Sequence, residues 1–198
     1  MCIRDSDLIA CPDVDVIDIS TSNNAHFEVA KAAIEAGKPF CLEKPVTLTA
    51  EEADILAKAA QEKGIPNMVC FSYRFKAAAR YAKELVEKGM LGDIYHVYMQ
   101  YLQGGGGPSY DLPRSWRYQK KLTGTGALGD LGCHALDLVS FVTGKNYRKA
   151  VGHTDTYVTQ RRLEEGEGYG PVDVDDFCHY LMDCLLYTSP SPRDGATS

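Results

Sequence analysis

The sequence predicts an α/β protein in two parts: a parallel β-sheet covered by helices, then an α+β domain with an open antiparallel sheet. In the first part, residues 7–72, short apolar runs alternate with amphipathic helical segments, which is typical of a parallel sheet. In the second part, residues 73–183, the strand-like runs are longer and alternate between apolar and polar residues. The pattern changes between residues 72 and 92, so we place the domain boundary there.

The first strand and helix are predicted near the start of the chain. The run VDVIDIS, residues 14–20, alternates and is rich in β-branched residues, which predicts a strand. The segment NNAHFEVAKAAIEAG then has helical periodicity, with Asn23 or Asn24 as the expected N-cap and Gly37 at its end.

Two further strands and one helix complete the first part. PFCLE, residues 39–43, predicts the second strand, and NMVCF, residues 67–71, predicts the third. Between them Thr49 and Glu52 have the spacing of a capping box, and the helix they open ends at Gly64. The resulting βαβαβ order predicts a parallel sheet with helices on both faces.

The second part is predicted to contain two helices and three strands. The helices correspond to residues 75–88 and 124–144, and a glycine follows or ends each of them. The aromatic run IYHVYMQYL, residues 94–102, predicts a long antiparallel strand, and residues 149–158 and 172–182 predict two more. We expect one helix to pack against one face of this open sheet.

Both ends of the chain differ in character from the sequence between them. Residues 1–6 and 184–198 resemble translated adapter sequence from the edges of metagenomic assemblies, so we expect these ends to be non-native and the chain to be a fragment. The alternative for the second end is a native disordered tail.

Composition excludes several classes of protein. The formal net charge is −6 and the basic residues form no stripe, so we expect no nucleic-acid partner. No apolar run is long enough to cross a bilayer, and no secretory signal is present, so we expect no membrane partner. The seven cysteines include no Cys-x-x-Cys pair, which argues against a structural metal site and favours reduced thiols in a cytoplasmic protein.

Two glycine-rich segments imitate phosphate-binding motifs. Gly124, Gly126 and Gly129 have the spacing of a dinucleotide fingerprint, but no strand precedes them, so we reject the match. The glycines at 104–107 lack the lysine and hydroxyl residue of a P-loop, and we interpret them as a flexible loop.

The second predicted strand ends in two opposite charges and a proline. Pro45 restricts Lys44 to an extended conformation, which suggests a lysine held in a fixed position. Ligands of open α/β sheets bind at the carboxyl ends of the strands, where Glu43 and Lys44 lie. The alternative is an ion pair between these two neighbours or a solvated lysine.

The second predicted helix of the later domain carries three titratable residues on one face. Asp130, His134 and Asp137 are spaced i, i+4 and i+7. A carboxylate one turn from an imidazole can orient the ring and stabilise its protonated form, as a general base requires. The alternative is a surface Asp–His pair without a catalytic role.

Together, these segments resemble the Gfo/Idh/MocA oxidoreductase family over residues 7–183. Glu-Lys-Pro at 43–45 resembles the first family signature, and GALGDLGCHALD at 126–137 resembles the second. STSNNAH at 20–26 is similar to the family's Thr-Pro-Asn-x-x-His turn with serine in place of proline. SYRF at 72–75 is similar to its Asn-Tyr-Arg segment with serine in place of asparagine.

The resemblance implies an NAD(P)-dependent oxidoreductase that transfers a hydride between a nicotinamide cofactor, NAD or NADP, and a secondary alcohol or ketone of a sugar, polyol or related metabolite. It also implies a partial Rossmann domain whose glycine-rich turn lies upstream of Asp7, and a truncated substrate domain that often mediates homo-oligomers. We therefore expect the chain on its own to be a poor enzyme. The alternative function is a non-catalytic sensor of the same fold that binds a dinucleotide or a sugar.

The resemblance also assigns roles to residues. His134 would be the acid/base on the substrate hydroxyl, Asp130 would orient it, and Lys44 would hydrogen-bond the same oxygen. Arg74 would lie in the substrate pocket, and the loop at 113–117 could cover a sugar with Trp116 and Arg117, unless this tryptophan is simply packed. The expected cofactor-binding residues are Ser20, Thr21, Asn23, His26, Glu43 and Lys44.

Overall fold

The structure is a computed structural model that describes residues 4–184. The expected non-native ends lie mostly outside these residues, and α1 begins inside the first of them, at Asp5. The described part of the first half contains three α-helices and three strands: α1 (Asp5–Ala10), β1 (Ile17–Ile19), α2 (His26–Glu35), β2 (Phe40–Leu42), α3 (Ala50–Glu62) and β3 (Asn67–Val69).

The three strands form the parallel sheet that the sequence predicts. Their order is β1-β2-β3, with Ile17 opposite Phe40 and Phe40 opposite Asn67. Helices α2 and α3 pack against each other on one face of this sheet. The prediction of helices on both faces is not confirmed within the described residues, since Asp18 of β1 is exposed on the opposite face. The hydrophobic core is formed by Ile9, Ile17, Ile19, Ala30, Ala33, Ile34, Phe40, Leu42, Leu56 and Ala60. Apolar burial of this kind stabilises the sheet.

The helix starts confirm one sequence prediction and correct another. Thr49 Oγ1 accepts a hydrogen bond from the Glu52 amide at 3.2 Å, as in the predicted capping box. The Glu52 carboxylate in turn accepts a hydrogen bond from the amide of Leu48, the residue before Thr49, at 3.2 Å. The predicted asparagine N-cap of α2 is wrong, because a 3-10 helix (Asn23–Ala25) precedes α2 and the Asn23 side chain contacts Thr123 instead.

The second half, as far as Cys184, contains three α-helices and four strands. A π-helical turn (Leu128–Gly132) leads directly into the last helix. The elements are α4 (Ala77–Glu87), α5 (Lys120–Thr123), α6 (Cys133–Thr143), β4 (Tyr147–Asp155), β5 (Gln160–Arg162), β6 (Tyr169–Pro171) and β7 (Phe177–Cys184). Strands β4 and β7 pair antiparallel over their length, which confirms these two predicted strands, and β5 and β6 form a small hairpin that was not predicted.

The predicted strand at 94–102 is wrong. Within the described chain these residues form no strand, and their main chain makes no hydrogen bond to another described segment. Tyr95, Tyr98 and Leu102 are exposed. Alternation predicts which residues share a face, but a strand also requires a neighbour, and β4 and β7 pair with each other.

The described residues include no helix that is both long and apolar enough to cross a bilayer.

The structure also supports the rejection of the dinucleotide fingerprint at Gly124, Gly126 and Gly129. Gly124 ends α5 with a φ of 81°, and a Cβ on Gly126 would lie 1.8 Å from the main-chain oxygen of Asp175. These glycines therefore allow a turn and a close approach, and no strand leads into them.

Candidate active site

The carboxyl edge of the parallel sheet carries Glu43 and Lys44 directly after β2. The Glu43 amide donates to the main-chain oxygen of Ile19 at 2.9 Å, so the chain stays attached to β1 for one residue beyond the strand. The Lys44 amide donates to the carboxylate of Glu43 at 3.2 Å. The Lys44 side chain is 13% exposed and therefore leaves the sheet into a largely enclosed space.

Lys44 joins this edge of the sheet to the helical segment of the second half. Its ammonium forms an ion pair with the Asp130 carboxylate and donates to the main-chain oxygen of Asp130 at 3.0 Å. A buried ammonium with two oxygen partners has little freedom to move. The structure thus brings together two of the three predicted catalytic residues.

His134 lies at the start of α6 and is 8% exposed. It follows Asp130 by four residues, but the expected contact between the two side chains is replaced by the Asp130–Lys44 pair, since an ammonium is the stronger partner for a carboxylate. Within residues 4–184, His134 Nδ1 has no hydrogen-bond partner. The ring instead stacks on Tyr73, with ring centroids 4.4 Å apart.

Burial lowers the pKa of His134 below its ordinary value of 6.5, and the nearby positive charge of Lys44 lowers it further. The negative charges of Asp130, Glu43 and Asp137 act in the opposite direction but are weaker than burial. The imidazole is therefore neutral at neutral pH, which is the form that can accept a proton.

Arg74 has a partner that the sequence did not suggest. Its guanidinium forms a bidentate pair with Asp137, with Nε 2.9 Å from Oδ2, and this hydrogen bonding raises the pKa of Arg74. The pair links the 3-10 helix Ser72–Phe75 to α6. In this arrangement Arg74 connects two elements, whereas we expected it to face a substrate.

The turn at residues 20–26 is divided between exposed and buried side chains. Ser20 and Thr21 are exposed at the end of β1. Asn23 is buried and donates to Thr123 Oγ1 and the Thr123 main-chain oxygen, each at 3.0 Å. His26 is fully buried, with Nδ1 2.8 Å from the main-chain oxygen of Pro45 and Nε2 3.2 Å from that of Thr21. Both buried residues hold loops at the site.

The tryptophan loop also reaches the site. Trp116 and Arg117 lie in a 3-10 helix, and the Arg117 guanidinium stacks over the Trp116 ring at 4.6 Å. Arg117 Nη1 is 3.8 Å from Asp130 Oδ1, so a second cation approaches the carboxylate that holds Lys44. Arg117 is 59% exposed and remains accessible to a ligand.

Sequence reasoning missed Asp175 and Tyr101. The two carboxylate oxygens of Asp175 accept from the amides of Gly126 and Leu128 at 2.7 and 2.6 Å, so Asp175 caps the helical segment that carries Asp130. No local pattern links residues almost fifty positions apart. Tyr101, which hydrogen-bonds the Tyr73 hydroxyl, belongs to the segment that we predicted as a strand.

Comparison with known proteins places these residues in a family. Residues 4–71 match a family model described as an oxidoreductase family with an NAD-binding Rossmann fold. Residues 79–184, more than half of the chain, match the model of the GFO/IDH/MocA C-terminal domain. The chain belongs to the GFO/IDH/MocA family. The resemblance noted in the sequence is thereby confirmed.

Relatives in the GFO/IDH/MocA family include sugar and inositol dehydrogenases. Levoglucosan dehydrogenase of Pseudarthrobacter phenanthrenivorans is 38% identical over 85% of this chain and 46% of its own length. The scyllo-inositol 2-dehydrogenase (NADP(+)) IolW of Bacillus subtilis is 33% identical over 89% of this chain and 46% of its own length.

Solved structures of GFO/IDH/MocA proteins share the fold of this chain. An oxidoreductase domain protein from Kribbella flavida has a TM-score of 0.86 at 39% identity, covering 92% of this chain and 48% of that one. Levoglucosan dehydrogenase in complex with NADH and levoglucosan has a TM-score of 0.79 at 37% identity, covering 89% and 46%. The chain spans about half the length of the relatives it matches.

Proposed function

We propose that this chain carries the catalytic residues of an NAD(P)-dependent oxidoreductase that acts on a secondary alcohol or ketone of a sugar or polyol. One observation carries the proposal: the ammonium of Lys44, at the sheet edge, is held by Asp130, four residues before the neutral, buried imidazole of His134. An alcohol oxygen in contact with both Lys44 and His134 would have a hydrogen-bond donor and a proton acceptor from different parts of the chain.

The cofactor of this proposal is NAD or NADP, and the sheet edge fits it. Ser20 and Thr21 are exposed where β1 ends, and Glu43 is half-buried where β2 ends. This is the edge at which open parallel sheets bind nucleotides. Asn23 and His26 support it indirectly, because their buried contacts shape the turn that presents Ser20 and Thr21. The nicotinamide ring, when bound, accepts or supplies the hydride.

In the proposed mechanism the protein moves one proton and positions one oxygen. During oxidation, the neutral His134 accepts the hydroxyl proton of the substrate, and during reduction it returns that proton. Lys44 donates a hydrogen bond to the same oxygen and stabilises the negative charge that develops there. Asp130 keeps Lys44 in place through two contacts.

The proposed substrate is a small sugar or polyol, as the names of the relatives suggest. The accessible Arg117, stacked on Trp116 beside Asp130, can hydrogen-bond hydroxyl groups, and the indole can pack against a sugar face.

Homo-oligomer formation stays a prediction. A cytoplasmic location is proposed because the described cysteines are free thiols.

The test uses a chimera, since the chain spans about half of each relative. Residues 4–184 replace the matching half of levoglucosan dehydrogenase, and NADH formation from levoglucosan is measured. We expect turnover, and we expect Lys44→Met to lower kcat by about 10²- to 10³-fold, the usual loss for a preorganised donor, while NADH still binds.

The matched control is Lys58→Met, which removes an exposed lysine from α3 and should leave kcat unchanged. A folded chimera that binds NADH but has no turnover with a panel of sugars and polyols would contradict the proposal. That result would favour the sensor alternative.

A further inference from the structure

Three aromatic side chains surround the imidazole of His134, and we call them the aromatic cluster: Phe71, Tyr73 and Tyr101. Tyr73 stacks on the ring, with centroids 4.4 Å apart and planes 22° from parallel. Phe71 meets it edge-on at 6.0 Å and 82°. Tyr101 is tilted at 6.5 Å. The stacked contact with Tyr73 and the edge-on contact with Phe71 together restrict both the tilt and the rotation of the imidazole ring.

Polar contacts do not explain how this ring is oriented. Nδ1 of His134 is buried and has no partner within residues 4–184. The carboxylate of Asp130, four residues before it, is held by Lys44, and that of Asp137, three residues after it, is held by Arg74. A catalytic histidine commonly has its second nitrogen fixed by a carboxylate or carbonyl, and in the described structure this function is left to packing.

We infer that Tyr73 is a positioning residue, whose ring, stacked face to face on His134, sets the direction in which the imidazole points. The inference deepens the proposed function and rests on it, because His134 is the proposed proton acceptor. Tyr73 acts through His134.

Tyr73 is itself held from two sides. The next residue, Arg74, forms the bidentate pair with Asp137 of α6, which fixes the 3-10 helix Ser72–Phe75 against the helix that carries His134. The Tyr73 hydroxyl is hydrogen-bonded to Tyr101, and this bond, with burial, raises the pKa of Tyr101 to about 12. The Tyr101 hydroxyl therefore stays protonated at neutral pH, and its hydrogen bond to Tyr73 persists.

Charged groups also face His134: Lys44 and Glu43 at the end of β2, and Asp130 and Asp137 from its own helical segment. The Lys76 ammonium lies over the Tyr73 ring, 3.9 Å from its centroid, and the neutral ring itself adds orientation without adding a charge to this set. Replacing the ring with another ring should therefore be tolerated, and replacing it with an aliphatic side chain should not.

The test compares Tyr73→Phe with Tyr73→Leu in the complete 198-residue chain, using NMR of ¹³C-labelled histidine. A proton over an aromatic face is shifted upfield by the ring current. We expect the His134 ring protons to be upfield in the wild type and in Tyr73→Phe. In Tyr73→Leu they should move downfield, and the pKa of His134 should rise toward its ordinary value as water enters. The signal is assigned by its loss in His134→Gln.

The control is Tyr81→Leu, which removes a tyrosine that is 61% exposed on α4 and should change no His134 signal. In the chimera, Tyr73→Leu should lower kcat by on the order of 10²-fold with a smaller change in KM, the size expected for a displacement of about 1 Å, and Tyr73→Phe should retain turnover.

Unchanged His134 signals in folded Tyr73→Leu would overturn the inference. If Tyr73→Leu does not fold, Tyr73→Phe decides: a displaced His134 signal in that variant would assign the effect to the hydroxyl and overturn the role of the stack. The NMR result does not depend on turnover. A chimera without turnover would thus refute the proposed function, while the ring shifts still report on the stack.

Discussion

At the scale of single residues, the site depends on how one ammonium, one carboxylate and one imidazole share a small volume. Lys44 is 13% exposed and His134 is 8% exposed, so water screens their interaction poorly. The Lys44 charge disfavours protonation of the ring, and the Asp130 carboxylate favours it. The Lys44–Asp130 pair therefore both positions the ammonium and moderates its effect on the neighbouring base.

Opposite changes in the pKa of His134 are expected from the two partners. Lys44→Met removes a positive charge and should raise this pKa, whereas Asp130→Asn removes a negative charge and should lower it. Oxidation requires the neutral ring, so its rate rises with pH through this pKa. In Lys44→Met the rise should occur at higher pH.

Histidine NMR over about pH 4 to 8 measures both variants, a range that brackets the ordinary histidine value. Lys58→Met, at an exposed position of α3, serves as the control for a lost positive charge. Shifts of the same sign in Lys44→Met and Asp130→Asn would contradict the electrostatic account.

Among residues, sequence reasoning could identify Lys44, Asp130 and His134 as candidates because strand ends and helical spacing are local features. It could not identify partners. The Asp130 carboxylate joins Lys44, 86 positions away, and Arg74 joins Asp137, 63 positions away. Such pairs depend on which elements pack together, and no spacing rule contains that information.

At the scale of elements, the helical segment with Asp130 and His134 is fixed at its start by the carboxylate of Asp175, which lies just before β7. Asp175 accepts hydrogen bonds from two amides, and its own main-chain oxygen accepts one from Ala127 at 2.8 Å. Gly126 has no side chain, which allows this approach. The helical segment with Asp130 and His134 is therefore fixed against the residues that lead into β7.

Loss of this cap should destabilise the protein. We expect Asp175→Ala to lower the free energy of unfolding by about 1–2 kcal/mol, since helix caps contribute this much and two amides lose their partner. Urea denaturation followed by circular dichroism measures the change. Asp54→Ala, at an exposed position of α3, is the control and should be nearly neutral. An Asp175→Ala variant as stable as the wild type would show that water replaces the cap.

Elements with a complete local signature were predictable, and those that depend on neighbours were not. The α3 start at Thr49 has both a cap and a hydrophobic repeat, and the structure confirms it. The run at 94–102 alternates well but has no strand partner within the described residues. The β5–β6 hairpin has strands of three residues, too short for a detectable alternation.

At the scale of the whole molecule, two ion pairs connect the parallel sheet and its following turn to the helices of the second half. Lys44–Asp130 lies at the end of β2, and Arg74–Asp137 lies just after β3. Both pairs reach the same helical segment, one before and one after His134. The position of this residue relative to the sheet edge therefore depends on both.

The Arg74–Asp137 pair should contribute to stability as a unit. Asp137 is 8% exposed, so Arg74→Met leaves a buried carboxylate without its partner and should cost about 1.5–3 kcal/mol in the free energy of unfolding. Asp137→Asn should cost a similar amount. The double variant should lose less than the sum, with a coupling energy of about 0.5–3 kcal/mol, as for residues in direct contact. Urea denaturation of the four proteins gives this coupling. A coupling near zero, with a raised KM in Arg74→Met in the chimera, would instead return Arg74 to the substrate role that the sequence resemblance implies.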